Sequence, residues 1–116
     1  ITPTTDEMRL RKILTNASGF LYYVSITGIT GAKIADIKKL KLSVKKLKNK
    51  TNLPVMVGFG IKKTEQAKKI ATFADGIVIG SSIVKIIEDH IIDNIPIDNT
   101  LSKINKFIKS FAKAIK

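Results

Sequence analysis

The sequence predicts an α/β fold with a parallel sheet, on two observations. Strand-like and helix-like segments alternate three times, and each strand-like run is apolar on both alternations, as a parallel strand covered on both faces requires. Each run also ends in glycine or serine, residue types that turn a strand into the start of a helix. No linker or low-complexity stretch divides the 116 residues, so residues 1–116 read as a single unit.

Ile1 to Pro3 reads as the end of a strand, which makes a fragment of a larger fold the expectation. Thr4, Thr5, Asp6 and Glu7 form a capping-box pattern, with the Thr4 hydroxyl and Glu7 carboxylate satisfying free N–H groups of a helix start. Leu10, Ile13, Leu14 and Ala17 follow at three- and four-residue spacing and predict one buried face, with Gly19 as the stop. Phe20 to Ser25 is the first strand. A glycine-punctuated loop over 27–31 leads to a lysine-rich helix that starts at Asp36 or Ser43 and runs to Lys50. Its Ile37, Leu40, Val44 and Leu47 keep helical spacing.

Pro54 to Val57 is the second strand, ending in Gly58-Phe59-Gly60. Thr64 is the expected cap of a helix that turns Ala67, Ile70 and Ala71 inward and Lys68 and Lys69 outward. The third strand, Gly76 to Ile79, ends in Gly80-Ser81, and Ser81 or Ser82 is placed to cap a short helix through Glu88. After Pro96 a last helix, Asn99 to Lys116, carries Leu101, Ile104, Ile108, Phe111 and Ile115 on one face and five lysines on the other. Its apolar stripe is expected to pack on a sheet rather than lie on a membrane.

Composition excludes several classes. An apolar fraction of 44% rules out a mainly disordered chain, and the absence of cysteine removes disulfides, thiolate metal sites and cysteine nucleophiles. No segment has the length of a membrane span, and Ile1 to Glu7 lacks the basic start and apolar run of a signal peptide. A cytoplasmic protein is the resulting expectation. The net charge of +12 comes from 19 lysines and only two arginines, Arg9 and Arg11. Groove readers favour the arginine fork, and the aromatics fall at core spacings, so neither nucleic acid nor membrane is the expected partner. The 20 isoleucines suggest a compositional bias that places lysine wherever a solvated residue is tolerated.

Ligands of parallel α/β folds bind at the carboxyl ends of the strands. Gly31, Gly60 and Gly80 stand at those ends, where a missing Cβ lets the backbone approach an anion, and Ser81 adds a hydroxyl at a helix start. A phosphate is the ligand group these residues suit. The acids Glu88, Asp89 and Asp93 beside the single histidine, His90, lack a metal-ligand pattern and read as an exposed helix end. No metal site is expected.

Three stretches, 20–31 (FLYYVSITGITG), 53–61 (LPVMVGFGI) and 74–85 (ADGIVIGSSIVK), together resemble the tryptophan synthase alpha chain family. The resemblance covers essentially the whole sequence and implies the C-terminal half of a TIM (β/α)8 barrel, from about the end of strand five to the last helix, with parallel strands inside and helices outside. It implies a lyase of tryptophan biosynthesis that cleaves indole-3-glycerol phosphate to indole and glyceraldehyde 3-phosphate. The implied partners are the missing N-terminal half of the barrel and a beta chain, in an alpha2beta2 complex. Pyridoxal phosphate sits in that beta chain, and no cofactor is implied in this one.

By the same resemblance Gly31, Gly60, Gly80 and Ser81 hold the substrate phosphate, Tyr22 lies beside the catalytic glutamate, Phe59 faces the indole ring, and Thr30 sits on a closing loop. On burial frequencies alone Tyr22 and Phe59 read as packing residues and Thr30 as a turn residue. The family's two catalytic carboxylates belong to the N-terminal half, so no catalytic residue is expected here and the segment alone should be inactive. Two positions depart from the family: Ile26, where arginine is frequent, and Lys62, where a small hydroxyl residue is common. The competing readings are another phosphate-binding barrel enzyme and, from charge alone, a basic module for nucleic acid or anionic membrane.

Overall fold

The computed structural model describes residues 1–25, 37–58 and 60–116. Among them, three strands, β1 (Leu21–Val24), β2 (Val55–Gly58) and β3 (Gly76–Val78), alternate with helices α1 (Glu7–Asn16), α2 (Ile37–Lys48) and α3 (Thr64–Ala71), and α4 (Ser81–Ile92) and α5 (Ile97–Ala114) follow. The strands are parallel in the order β1-β2-β3. Sequential order with parallel strands demands a helical crossover each time, as in a barrel.

Ile1 lies along the outer edge of β1. Its nitrogen donates to the Tyr22 carbonyl (2.9 Å) and its carbonyl accepts from the Val24 N–H (2.9 Å), the pattern of a parallel bridge. The expected strand end is therefore present at Ile1.

One sheet face carries the core. Leu21, Tyr23, Val55 and Val57 are buried on it with Leu40, Val44 and Leu47 of α2, Ala67 and Ile70 of α3, and Phe111 of α5. The other face holds Tyr22 and Val78, each 37% exposed. Burial on both faces, expected for every strand, is thus corrected: the described helices cover one face only. That one-sided cover is what a barrel wall requires, whereas a doubly wound sheet carries helices on both faces.

Several boundaries also differ from expectation. The N-cap of α1 is Asp6, whose carboxylate accepts from the Arg9 N–H at 2.8 Å, and not Thr4. Glu7 instead pairs with Lys50 and Arg11, and these cations hold its carboxyl below the usual range. The helix ends at Asn16, before Gly19, and buries no residue fully; Ile13, expected inward, is 40% exposed. α4 runs past Glu88 to Ile92 and α5 starts directly after Pro96, which occupies its N-cap. α5 packs on α3 and α4 and sends Phe111 into the core that lies on the sheet. Of its predicted stripe only Phe111 is buried, while Leu101, Ile108 and Ile115 stay exposed. The buried Thr100 joins it to α4 through a 3.0 Å bond between its hydroxyl and His90 Nδ1.

Candidate functional site

Strand register decides which residues meet. Gly58 of β2 is level with Val24 of β1 on one side and Val78 of β3 on the other. Gly60 and Gly80 each lie two residues past that line, so the chain brings both glycines out at the same end of adjacent strands. This is the carboxyl end, where the parallel arrangement places ligand sites.

Gly60 has φ +75°, in the left-handed region where a side chain is strained. It lets β2 turn sharply and sends the buried Ile61 back into the core. Gly80 is the N-cap of α4, and none of the described residues puts an atom within 4 Å of where its Cβ would be, its chain neighbours aside. Ser81 opens α4 and is exposed.

The first turn of α4 has donors to spare. The Gly80 carbonyl accepts from the Ile83 and Val84 N–H groups at 2.9 and 3.0 Å, which starts the helix, while the N–H groups of Ser81 and Ser82 have no protein acceptor among the described residues. No acid stands in this turn. N–H groups so placed, a helix dipole and a glycine cap together suit an anion.

At the start of α3 the Thr64 and Glu65 N–H groups likewise have no protein acceptor among the described residues, and the difference lies just before them. The N-cap, Lys63, makes no side-chain cap, and Thr64 is the first helical residue rather than the expected cap. Gln66 does the work: its Oε1 accepts from the Lys62 N–H (3.0 Å) and the Lys63 N–H (3.1 Å). Those two donors are therefore occupied. A glutamine at the third helical position is a known half of a capping box, and that signal was available in the sequence.

Tyr22 rises from β1 on the open sheet face and crosses Gly58. A Cβ on Gly58 would meet the Tyr22 hydroxyl and ring, with Cζ only 2.7 Å away. Ser25, fully buried at the end of β1, fastens the same neighbourhood: its hydroxyl donates to the Gly58 carbonyl at 2.8 Å, and its N–H donates to the same oxygen at 3.0 Å. Sequence reading gave neither Gly58 nor Ser25 a role. Thr30, Gly31 and Phe59 fall outside the described residues.

The acids lie elsewhere or are engaged. Asp75 precedes β3 at the opposite end of the sheet, where the Lys48 ammonium (2.7 Å) and the Val55 N–H (2.8 Å) hold its carboxyl below the usual range. Lys85, between Asp89 (3.0 Å) and Glu88 (3.5 Å), has its ammonium pKa raised by those carboxylates. Glu65 stands in the first turn of α3, five residues past Gly60. The arrangement suits an anion and presents an aromatic ring; among the described residues it brings no pair of carboxylates together for proton transfer.

Residues 1–116 match the family model for the tryptophan synthase alpha chain. The fold is similar to that of tryptophan synthase subunit alpha from Legionella pneumophila, at 32% identity and a TM-score of 0.81, over 99% of this chain and 40% of that one. It is similar also to subunit alpha from Campylobacter jejuni, at 35% identity and a TM-score of 0.69, over 89% of this chain and 40% of that one. A Mycobacterium tuberculosis tryptophan synthase matches at 26% identity and a TM-score of 0.76, over 99% and 40%. The chain thus spans about 40% of the length of these solved structures.

Proposed function

The chain belongs to the tryptophan synthase alpha chain family, and we propose that it forms the phosphate-holding part of a lyase that cleaves indole-3-glycerol phosphate to indole and glyceraldehyde 3-phosphate. The observation that carries this reading is the pair of level strand ends, Gly60 and Gly80, beside the N–H groups of Ser81 and Ser82, which have no protein acceptor among the described residues. Donors fixed before the ligand arrives stabilise an anion without reorganisation.

In this reading Gly31 completes the phosphate cradle, Tyr22 and Phe59 border the indole ring, and Thr30 belongs to a loop that closes over the substrate. The glutamate that acts in proton transfer and the aspartate that contacts the indole nitrogen come from the portion of the family's barrel that these 116 residues do not span. This chain's own part is to bind and orient. Indole would pass to a beta chain, whose pyridoxal phosphate joins it to serine, and the whole would act in the cytoplasm. No helix among the described residues is long and apolar enough to cross a membrane.

The test is a titration of the chain with indolepropanol phosphate, a substrate-shaped ligand that cannot be cleaved, followed through backbone amide resonances. Shifts at Gly60, Gly80, Ser81 and Tyr22 that glycerol 3-phosphate competes away are expected. Shifts with glycerol 3-phosphate and none added by the indole ring would replace this reading with another phosphate-binding barrel. Binding to duplex DNA at physiological salt with no phosphate ligand bound would replace it with a basic module.

A further inference from the structure

We propose that Ser25 is a positioning residue of this site, its hydroxyl holding the Gly58 carbonyl so that Gly60 and the Tyr22 ring are in place before the ligand arrives. The proposal rests on the phosphate reading of Gly60, Gly80 and Ser81 given above and adds to it a residue that acts through another one.

The need for such a residue lies in the end of β2. Its last residue is a glycine that the Tyr22 ring crowds, with Cζ 2.7 Å from where a Gly58 Cβ would be. Gly60 follows two residues later in the left-handed region, at φ +75°. Two glycines in three residues give the backbone the widest choice of φ and ψ at the point where the site needs the least. An anion is stabilised best by groups that do not have to reorganise around it.

Ser25 removes that freedom. Its N–H donates to the Gly58 carbonyl at 3.0 Å, the next rung of the ladder between β1 and β2, and its hydroxyl donates to the same oxygen at 2.8 Å. Both lone pairs of that carbonyl thus have a donor, and both donors belong to one fully buried residue. Ser25 continues the alternation of the buried Leu21 and Tyr23, on the face that the helices cover, whereas Tyr22 lies on the open face. Gly58 is therefore held from one face by the hydroxyl and pressed from the other by the ring. On the far side of Gly60, the Ile61 side chain is sunk in the core at 3% exposure. Gly60 stands between these two anchors.

The hydroxyl has a cost that packing alone does not explain. Burying it forfeits solvation that an alanine would not lose, and the ladder bond from the N–H needs no side chain. On Gly58 the hydroxyl adds a second bond at one carbonyl, that of the glycine which Tyr22 covers and which stands two residues before Gly60.

The experiment measures the affinity of the full chain for glycerol 3-phosphate, at neutral pH and well below the unfolding midpoint, for the unaltered protein and for Ser25→Ala, Ser25→Thr and Asp75→Asn. Circular dichroism establishes that each variant is folded. The second readout is the chemical shift of the Gly58 Hα that occupies the Cβ place, which the current of the Tyr22 ring displaces. Ser25→Ala should weaken binding about three- to tenfold and return that Hα toward the ordinary glycine position, a change that a uniform loss of stability would not cause. Ser25→Thr, which keeps the hydroxyl, should retain both affinity and shift. Asp75→Asn removes a carboxylate from the opposite end of the sheet and should leave both unchanged. Full affinity in Ser25→Ala would overturn the assignment while leaving the phosphate site standing, as would an equal loss in Ser25→Thr or Asp75→Asn, or weaker binding with an unmoved Hα. Should Ser25→Ala not fold, Ser25→Cys, close to serine in size and a weaker donor, replaces it, and full affinity there overturns the assignment in the same way. Failure of the unaltered chain to bind the phosphate ester would overturn both.

Discussion

At the scale of single residues, Gly58 and Tyr22 act as one unit. The tyrosine lies where a Gly58 side chain would go, so Gly58→Ala forces the ring or the strand to move. Overpacking of this kind costs about 1–3 kcal/mol. Chemical denaturation should register that loss in Gly58→Ala and a smaller one when Tyr22→Ala is already present, because the obstructing ring is then gone. Additive losses would mean that the strand, not the ring, absorbs the strain. The sequence displayed Gly58 within a Gly-Phe-Gly run and Tyr22 within an apolar run, yet gave no sign that they touch. Contact between them depends on the register of two strands separated by a helix, and no local pattern encodes that register. Gly60 was easier to read, since glycine at a strand end has a local backbone reason.

At the scale of elements, local signals found each helix and strand, and tertiary contacts set their limits. Thr64, expected as the cap of α3, is its first helical residue instead, and the turn before it is held by the Gln66 side chain on the Lys62 and Lys63 N–H groups. Gln66→Ala should cost about 1 kcal/mol and raise amide exchange in the first turn of α3. Unchanged exchange there would mean that Ile61 alone holds the turn.

Asp75 is the longer-range case. Placed just before β3, it clips the start of β2 to β3 through the Val55 N–H, while its own N–H donates to the Val55 carbonyl at 3.0 Å. The Lys48 ammonium and that N–H depress its pKa in the folded state. A carboxyl with a depressed folded pKa contributes stability above its unfolded pKa and loses it as pH falls through the folded one. Its contribution is therefore complete near neutrality and fades below about pH 4. The side chain is about a third exposed, which limits the gain from the ion pair. Asp75→Asn should lower stability by about 1 kcal/mol at pH 7, and the difference should close toward pH 2.5. Urea midpoints across that range check it; a constant difference would show that geometry, not ionisation, is what Asp75 provides.

At the scale of the whole molecule, the chain exposes more surface than its mass warrants. Its accessible area is 8225 Å², whereas a compact 12.8 kDa monomer would expose about 6,300 Å². The radius of gyration is 16.0 Å against about 13 Å for a compact domain of this length. Much of the surplus is apolar: Val84, Ile87, Ile91 and Ile92 on α4, Ile97, Leu101 and Ile108 on α5, and the open sheet face with Tyr22 and Val78. β3 also leaves one edge unpaired, since only β2 pairs with it among the described residues. Apolar periodicity predicted the stripe of α5 correctly as a stripe, yet it could not tell a face already covered from one awaiting cover. Periodicity reports which side of a helix is apolar, not what lies against it.

Such a surface should drive self-association of the isolated 116-residue chain, and its charge makes the mechanism testable. Copies carrying +12 repel one another, and salt screens that repulsion over a distance of about 10 Å at 0.1 M. Hydrophobic association is not weakened by the same salt. Sedimentation velocity should therefore show larger species as protein concentration rises, and more of them at 0.5 M than at 0.05 M sodium chloride. Association that falls with salt would assign the contact to charge pairs. A monodisperse monomer under all these conditions would mean that the exposed stripe of α4 and α5 is tolerated in water, and that the half-open sheet stands on its own.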